Sequence, residues 1–420
     1  MTLLDTYTAT ITFDDYEAIR QALFDANLSR SFDKRSYHDG NIRDGVVSIA
    51  HGPMQRARRR VENSQFRADQ MKLYERELFP RVMSDLLDTL IDGEFVDIFT
   101  VGELLSVVLA ARRAGLDHEP GNLDQIRQLV RHVDAFSQGS AILDARDPES
   151  IRQLVYETYE EFERDFVRPS WQRRAALIEA QPSEQLGSES LPHDILTVLL
   201  LHRDDPALEL DDDGRVVREV ATYLQGGTHT SAQTLTNALD LLFEMEAGTP
   251  GIIDRAAVDL PFAQRVVHET LRLRPTTPKI KRRAEADTVI AGVAVPKDAM
   301  VILDAAAAHR DPAIFGPNPD DFDPDRELDP AIPRWGLAFG AGSHQCPGRT
   351  VAGGFPVPTG ETDDEHLFGL VALEIQAVAS RGVRPDPTRE PERDLRTDRH
   401  TRWLHYPVRF EAAGPVRGGV

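Results

Sequence analysis

Over the first 274 residues apolar side chains recur at intervals of three and four, a pattern that commits most of the chain to α-helix. Phe66 to Ile91, Thr100 to Ala114, Leu123 to Ser137, Glu149 to Leu177 and Arg215 to Glu246 all carry it, with Pro or Gly near several ends. Past Pro275 the spacing changes. Thr288 to Val295 and Ala299 to Asp304 read as short strands, and Asp311 to Pro333 is rich in Pro and Asp with few regular signals. An irregular stretch of that length inside a packed domain is functional or is held by specific contacts. The sequence shows no internal repeat and no low-complexity linker, so the expectation is a single, mainly α domain with small β-sheets over residues 1–420.

Apolar residues make up 41% and charged residues 28% of the 420, enough for a substantial core. The net charge of -21 opposes non-specific binding to nucleic acid or anionic lipid. Met1 to Arg20 is acidic and has no long apolar run. It reads as neither signal peptide nor membrane anchor, and the cytoplasm is the expected compartment. A single cysteine, Cys346, excludes an internal disulfide and any multi-cysteine zinc or iron-sulfur site within one chain.

That cysteine sits in Phe339-Gly340-Ala-Gly-Ser-His344-Gln-Cys346-Pro-Gly348, a loop whose glycines permit positive φ and close backbone approach to a thiolate. The competing reading is a buried, inert thiol. A dinucleotide fingerprint fails because Gln345 stands where glycine is needed, and a phosphate loop lacks its Gly-Lys-Ser/Thr ending. Three further segments bear on the choice. Glu269 and Arg272, three apart on a helix ending at Pro275, share a face and can pair. Phe322-Asp-Pro324-Asp-Arg326 places a second arginine in the irregular stretch. The last long helix holds Gly226-Gly227-Thr228-His229-Thr230-Ser231 in its middle, where each glycine costs ~1 kcal/mol against alanine. Either a flat ligand presses on the backbone there, or small residues allow close helix packing.

In this order the four segments, with Ala307-Ala-His309-Arg-Asp-Pro312, resemble the cytochrome P450 superfamily of the bacterial soluble type, from about Asp15 to Phe410. The resemblance implies that Cys346 is the axial thiolate of a haem b iron, with Phe339, Gly340 and Gly348 in the cofactor loop. It further implies that Glu269, Arg272 and Arg326 form a structural triad, that Arg59, Arg282 and His344 meet the haem propionates, and that Gln55 makes a weaker or neutral contact there. Thr230 matches a proton-relay threonine, Gly227 lies beside it, and His229 stands where an acid usually does. The ring then either donates protons or anchors water, or it merely bonds a backbone carbonyl. The implied activity is a monooxygenase acting on a small apolar molecule, with electrons from NAD(P)H through a ferredoxin or flavodoxin type reductant. The expected protein is a monomer that binds neither nucleic acid nor membrane. A peroxide-dependent or oxidative-coupling enzyme, and a non-enzymatic haem-binding relative, are the alternatives. Substrate contacts are expected from Ser36 to Ile49, Phe136 to Arg152, Tyr223 to Gly227 and Thr276 to Lys279.

The chain departs from the family pattern in two places. It lacks most of the N-terminal segment that usually precedes the stretch matching Asp15 to Ala26. After Cys346, Gly353-Gly-Phe-Pro356-Val-Pro358 breaks the expected helix, which resumes near Leu370. The chain therefore divides into 1–274, mostly helical; 275–335, β and meander; 336–350, the cysteine loop; 351–366, an insertion; and 367–420, a final helix and C-terminal β. Glu361, Asp363, Asp364 and Glu365 make the insertion acidic, which predicts slow docking of an acidic reductant and an atypical partner or pose.

Overall fold

Helices of this chain start where a side-chain oxygen is ready to accept from an otherwise unpaired amide. Asp15, Asp97, Asn122, Asp147, Asp194, Asp212 and Asp259 each do so at the first residue before a helix. The computed structural model describes residues 7–30, 42–91, 96–142, 145–181, 191–356, 365–395 and 402–411.

The N-terminal part comprises β1 (Thr10–Phe13), α1 (Tyr16–Phe24), β2 (Leu28–Ser29), α2 (Pro53–Glu62), α3 (Ala68–Leu73), α4 (Phe79–Leu90) and β3 (Val96–Asp97). The helical body follows with α5 (Ile98–Ala114), α6 (Leu123–Ser140), α7 (Pro148–Phe162), α8 (Arg168–Glu179), α9 (Ile195–Leu201) and α10 (Asp213–Glu246). Next come α11 (Ile252–Val258), α12 (Leu260–Leu273), β4 (Lys279–Ala284), β5 (Thr288–Ile290), β6 (Val293–Val295), β7 (Met300–Asp304), α13 (Ala305–Ala308) and α14 (Pro312–Phe315). The chain closes with α15 (Arg349–Gly353), α16 (Leu370–Ala379), β8 (Val383–Pro385), β9 (Glu392–Arg393), β10 (Trp403–His405) and β11 (Pro407–Phe410).

The five long helical segments read from periodicity are present, two of them broken by a π turn, at Tyr74–Leu78 and at Glu163–Val167. Thr288 to Val295 is a hairpin, β5 with β6, rather than one strand. The main sheet has the order β1-β7-β4-β2, with β1 and β7 parallel and the other pairs antiparallel.

The centre is the α5–α10 contact. A β-carbon at Gly102 would lie 3.1 Å from Ala232 Cα, and one at Gly227 would lie 3.1 Å from the Ala110 methyl. Close packing is therefore what Gly227 provides, whereas a β-carbon at Gly226 would meet nothing within 4 Å. Behind α5, Ser106 donates to Glu374 of α16, which is fully buried. Burial raises that carboxyl from 4.5 to about 8. The folded chain holds a proton that the unfolded chain releases, so this group destabilises the fold progressively as pH rises from about 4.5 to about 8. Glu374→Gln is expected to raise the unfolding midpoint above about pH 8 and to change it little near pH 5; a gain independent of pH would contradict this origin.

The irregular stretch after α14 is organised by two arginines. Arg272 makes two bonds to Glu269, Nε to Oε2 at 2.8 Å and Nη2 to Oε1 at 2.6 Å, and Arg326 Nε donates to the same Oε1 at 3.1 Å. All three side chains are buried. Further guanidinium N–H groups donate to the carbonyls of His309, Pro319 and Asp321 from Arg272, and of Phe315, Asn318 and Asp321 from Arg326. A chain without regular structure is thus held by two buried cations that bond its carbonyls. His309 carries the order onward: Leu337 N–H donates to its Nε2, which leaves Nδ1–H to donate to the Arg272 carbonyl.

Phe355 and Leu367, which flank the acidic segment, meet at one place. Phe355 N–H donates to Leu367 O at 2.7 Å, and the Gln264 amide donates to the carbonyls of Gly353, Phe355 and Leu367. Residues 357–364, which include Glu361, Asp363 and Asp364, lie outside the described residues. Glu365 is described and pairs with Lys72 of α3.

Candidate functional site

Cys346 is held by backbone. Its N–H donates to Phe339 O at 2.9 Å, and Gly340 and Gly342 turn the chain with φ of 62° and 67°. Gly342 admits no side chain, because a β-carbon there would lie 2.4 Å from Leu23 O. Pro347 has no N–H, so the Gly348 amide is the one that bonds the sulfur. Burial pushes the thiol up, while the Gly348 amide and the charges of Arg59, Arg349 and Arg30 pull it back.

The sulfur faces a cavity of about 450 Å³. Phe339, Gly340, Cys346 and Gly348 line it from the loop, and Gly226, Gly227, His229 and Thr230 line it from α10. Arg59, Arg282 and His344 border the same space with Arg30, which the sequence reading missed. Gln55 does not line it; its amide donates to Ser343 O at 2.9 Å and braces the cysteine loop from behind. Glu269, Arg272 and Arg326 also stand away from the cavity, acting on the loop through the chain they order.

The charges around Cys346 decide what the cavity can take. Arg282 is nearly fully buried, and burial, with Arg30 beside it, drives its guanidinium down to about 9. His344 is driven to about 3 by burial and by Arg30, Arg282, His51 and Arg59, and its Nε2 is buried without a partner. Several donors and cations crowd one wall with too few anions to neutralise them, which fits a flat cofactor that brings carboxylates of its own. A lone half-buried thiol facing that space fits an iron ligand on that cofactor. Arg282→Leu is therefore expected to stabilise the haem-free chain, by removing a poorly compensated buried cation, and to speed haem loss from the loaded protein. Slower unfolding of the haem-free form without faster haem loss would separate Arg282 from cofactor binding.

On α10, Thr230 is exposed to the cavity and its Oγ1 donates to Gly226 O at 2.8 Å. His229 is buried, and its Nε2 lies 3.0 Å from Oε1 of Glu103. Glu103 is the single acid in α5, a sequence signal for a buried role. Of the segments expected to touch substrate, Arg43, Val47, Ser48, Ser137, Gln138, Ser140, Ala141, Tyr223, Thr276 and Thr277 line the cavity; Ser36 to Asn41 lie outside the described residues. On the cysteine side, Arg56, Arg59, Arg60 and Arg349 surround a second cavity of about 570 Å³ next to Gln345 and Pro347.

A family model described as cytochrome P450 matches residues 1–353. The chain belongs to the cytochrome P450 family. The match ends at Gly353, the last residue of α15. Among solved structures, this P450 resembles CalO2, with a TM-score of 0.71 and 20% identity covering 96% of this chain and 91% of that one. It also resembles ligand-free CYP164A2 of Mycobacterium smegmatis, with a TM-score of 0.69 and 20% identity covering 95% and 90%. These likenesses establish the mainly α fold with small sheets. A cyclooctat-9-en-7-ol 5-monooxygenase of Streptomyces melanosporofaciens is 36% identical over 176 residues, 38% of each chain. A methyltetrahydroprotoberberine 14-monooxygenase of Papaver somniferum is 31% identical over 188 residues, 40% of this chain and 36% of that one. The matched segments thus span well under half the length of either relative.

Proposed function

We propose that this P450 is a haem-thiolate monooxygenase that inserts one oxygen atom from dioxygen into a small molecule. The observation that carries the reading is the single cavity onto which Cys346, the cationic wall and the glycine–threonine segment of α10 all open. Haem b, once bound, supplies the reductive activation of dioxygen, with electrons from NAD(P)H through a separate reductant. Cys346 would hold the iron, and Arg59, Arg282 and His344 would hold the propionates. Gly226 leaves the backbone bare where the ligand meets α10, and the tight seat of Gly227 against Ala110 keeps that part of the helix in place.

Proton delivery falls to Thr230 and His229. At rest the Thr230 hydroxyl spends its proton on Gly226 O, a local bond that rotation of the side chain exchanges for a cavity water. His229, buried at the same wall, anchors water there. The substrate body is expected to be apolar where it meets Val47, Leu271 and Ile280, and to carry hydrogen-bonding groups that meet Arg43, Gln138, Ser140, Thr276 or Thr277. This adds hydrogen-bonding groups to the small apolar molecule expected from the sequence.

The arginines around the second cavity favour a small acidic ferredoxin or flavodoxin on the cysteine side, against the repulsion expected from the insertion. Among the described residues no helix is long and apolar enough to cross a membrane, and a cytoplasmic monomer is the proposed form.

The test is a substrate screen by spectral shift on haem-loaded protein, followed by turnover under labelled dioxygen with NAD(P)H, reductase and ferredoxin. One labelled oxygen atom per product molecule is expected. Product formed from hydrogen peroxide alone, with none under the reductant system, would replace this reading with a peroxide-dependent one. A failure of both would leave a haem-binding protein.

A further inference from the structure

The close α5–α10 contact at Gly102 and Ala232 brings two buried titratable groups together inside the fold. Glu103 of α5 and His229 of α10 are each 7% exposed, and Nε2 of the ring is 3.0 Å from Glu103 Oε1. Arg402 completes the cluster. Its Nη2 lies 3.4 Å from Glu103 Oε1, 3.5 Å from His229 Nε2 and 2.8 Å from Asp134 Oδ1 of α6, and its Nη1 lies 3.8 Å from Asp394 Oδ2. The guanidinium rests 5.6 Å over the Phe99 ring, whose plane meets the imidazole edge-on. The other ring nitrogen, Nδ1, is buried and has no protein partner. His229, Arg402 and Asp394 all line the cavity, as does Thr230 next to His229.

A carboxylate accepts hydrogen bonds and cannot donate them, and a guanidinium donates and cannot accept. Nε2 faces both the Glu103 oxygen at 3.0 Å and the Arg402 Nη2 at 3.5 Å, and the shorter contact, to the acceptor, is the one that calls for a proton on Nε2. The lone pair is then left on Nδ1, a buried acceptor whose remaining partner is water. Burial and Arg402 hold the imidazole below its ordinary range, so the ring is neutral and its tautomer matters.

We propose that Glu103 is a positioning residue for His229: by taking the Nε2–H bond it leaves Nδ1 as the nitrogen that the ring offers to a cavity water beside Thr230. The role in turnover rests on the proton-delivery reading above; the tautomer itself does not. Arg402, tied to Asp134 and close to Asp394, points Nη2 at the same Glu103 Oε1 from 3.4 Å and so helps to hold that oxygen in place.

The test uses the haem-loaded, reduced, carbon-monoxide-bound protein, which is diamagnetic, and reads the imidazole nitrogen shifts of His229 by NMR. The wild type is expected to show a protonated Nε2 and a bare Nδ1. Glu103→Gln, whose amide can donate to Nε2, is expected to invert or mix the tautomers, and Glu103→Ala to mix them. Peroxide released per reducing equivalent is expected to rise several-fold in Glu103→Gln and in His229→Ala, with the double variant no worse than His229→Ala. A wild-type Nδ1–H, a tautomer unchanged in both Glu103 variants, or fully additive uncoupling would overturn the proposal. A tautomer shift with unchanged coupling in every variant would uphold the positioning role and defeat the proton-delivery reading.

Discussion

Glu269→Ala is expected to purify without haem and to unfold far below the wild type. The carboxylate sits between two buried guanidiniums, and its Oε1 also accepts from Asp323 N at 3.2 Å. Removing it leaves Arg272 and Arg326 buried and uncompensated, a loss on the order of 3 to 5 kcal/mol for a single broken pair. That is a large share of the ~5–15 kcal/mol by which a folded domain is stable. The damage is directed at the site, because the same arginines hold the carbonyls from His309 to Asp321, and His309 in turn receives the Leu337 amide at the start of the cysteine loop. Glu269→Gln keeps the shape and loses the charge, and an intermediate haem content is expected. Haem-to-protein ratio and thermal unfolding check both. A fully loaded alanine variant with wild-type stability would show that the cluster does not support the loop.

Gly354→Ala is the second change with a large expected effect. Its φ of 74° and ψ of -163° belong to glycine, and a β-carbon would lie 2.2 Å from Leu367 O and 2.5 Å from Phe368 C. Backbone on both sides cannot yield as a flexible side chain would. Gly369 is pressed against the same place, its own β-carbon position 2.4 Å from Gly354 N. Strain of ~1–3 kcal/mol from the backbone conformation adds to ~1–3 kcal/mol from overpacking. The break falls at the neck where Phe355 and Leu367 join, so α16 is freed from the cysteine side of the fold. Gly251→Ala is the control, because Gly251 has a φ of 91° and nothing within 4 Å of a β-carbon. Denaturant midpoints should fall much further for Gly354→Ala; equal losses would mean that the neck is loosely packed.

Periodicity revealed the long helices because each buries a continuous apolar face, and the four motif segments pointed to the family and to the cavity. The parts that stayed hidden are those in which a residue's partner is remote in sequence. Lys279–Ala284 pairs as β4 although Lys-Ile-Lys-Arg-Arg-Ala shows little strand alternation, since a buried cation here serves the cavity rather than the core. Arg56 to Arg60 reads as a basic run, yet Arg58 is fully buried, donating to the carbonyls of Leu208, Gly45 and Glu209 and pairing with Glu219. Gln55 aligns with a cofactor contact but turns to Ser343 instead. The partners of His229 come from α5 and from Arg402, which no local pattern in α10 could announce. The polar wall of Arg43, Gln138 and Ser140 likewise assembles from separate segments.

The ultraviolet-visible spectrum of the reduced protein under carbon monoxide is the most direct check on Cys346 as the iron ligand. The purified, haem-loaded chain should show the red-shifted Soret band of a thiolate-ligated ferrous carbonyl, and Cys346→Ala should lose it. A wild-type band at the position given by a histidine or other neutral ligand, or one that persists in Cys346→Ala, would contradict that assignment and the function built on it.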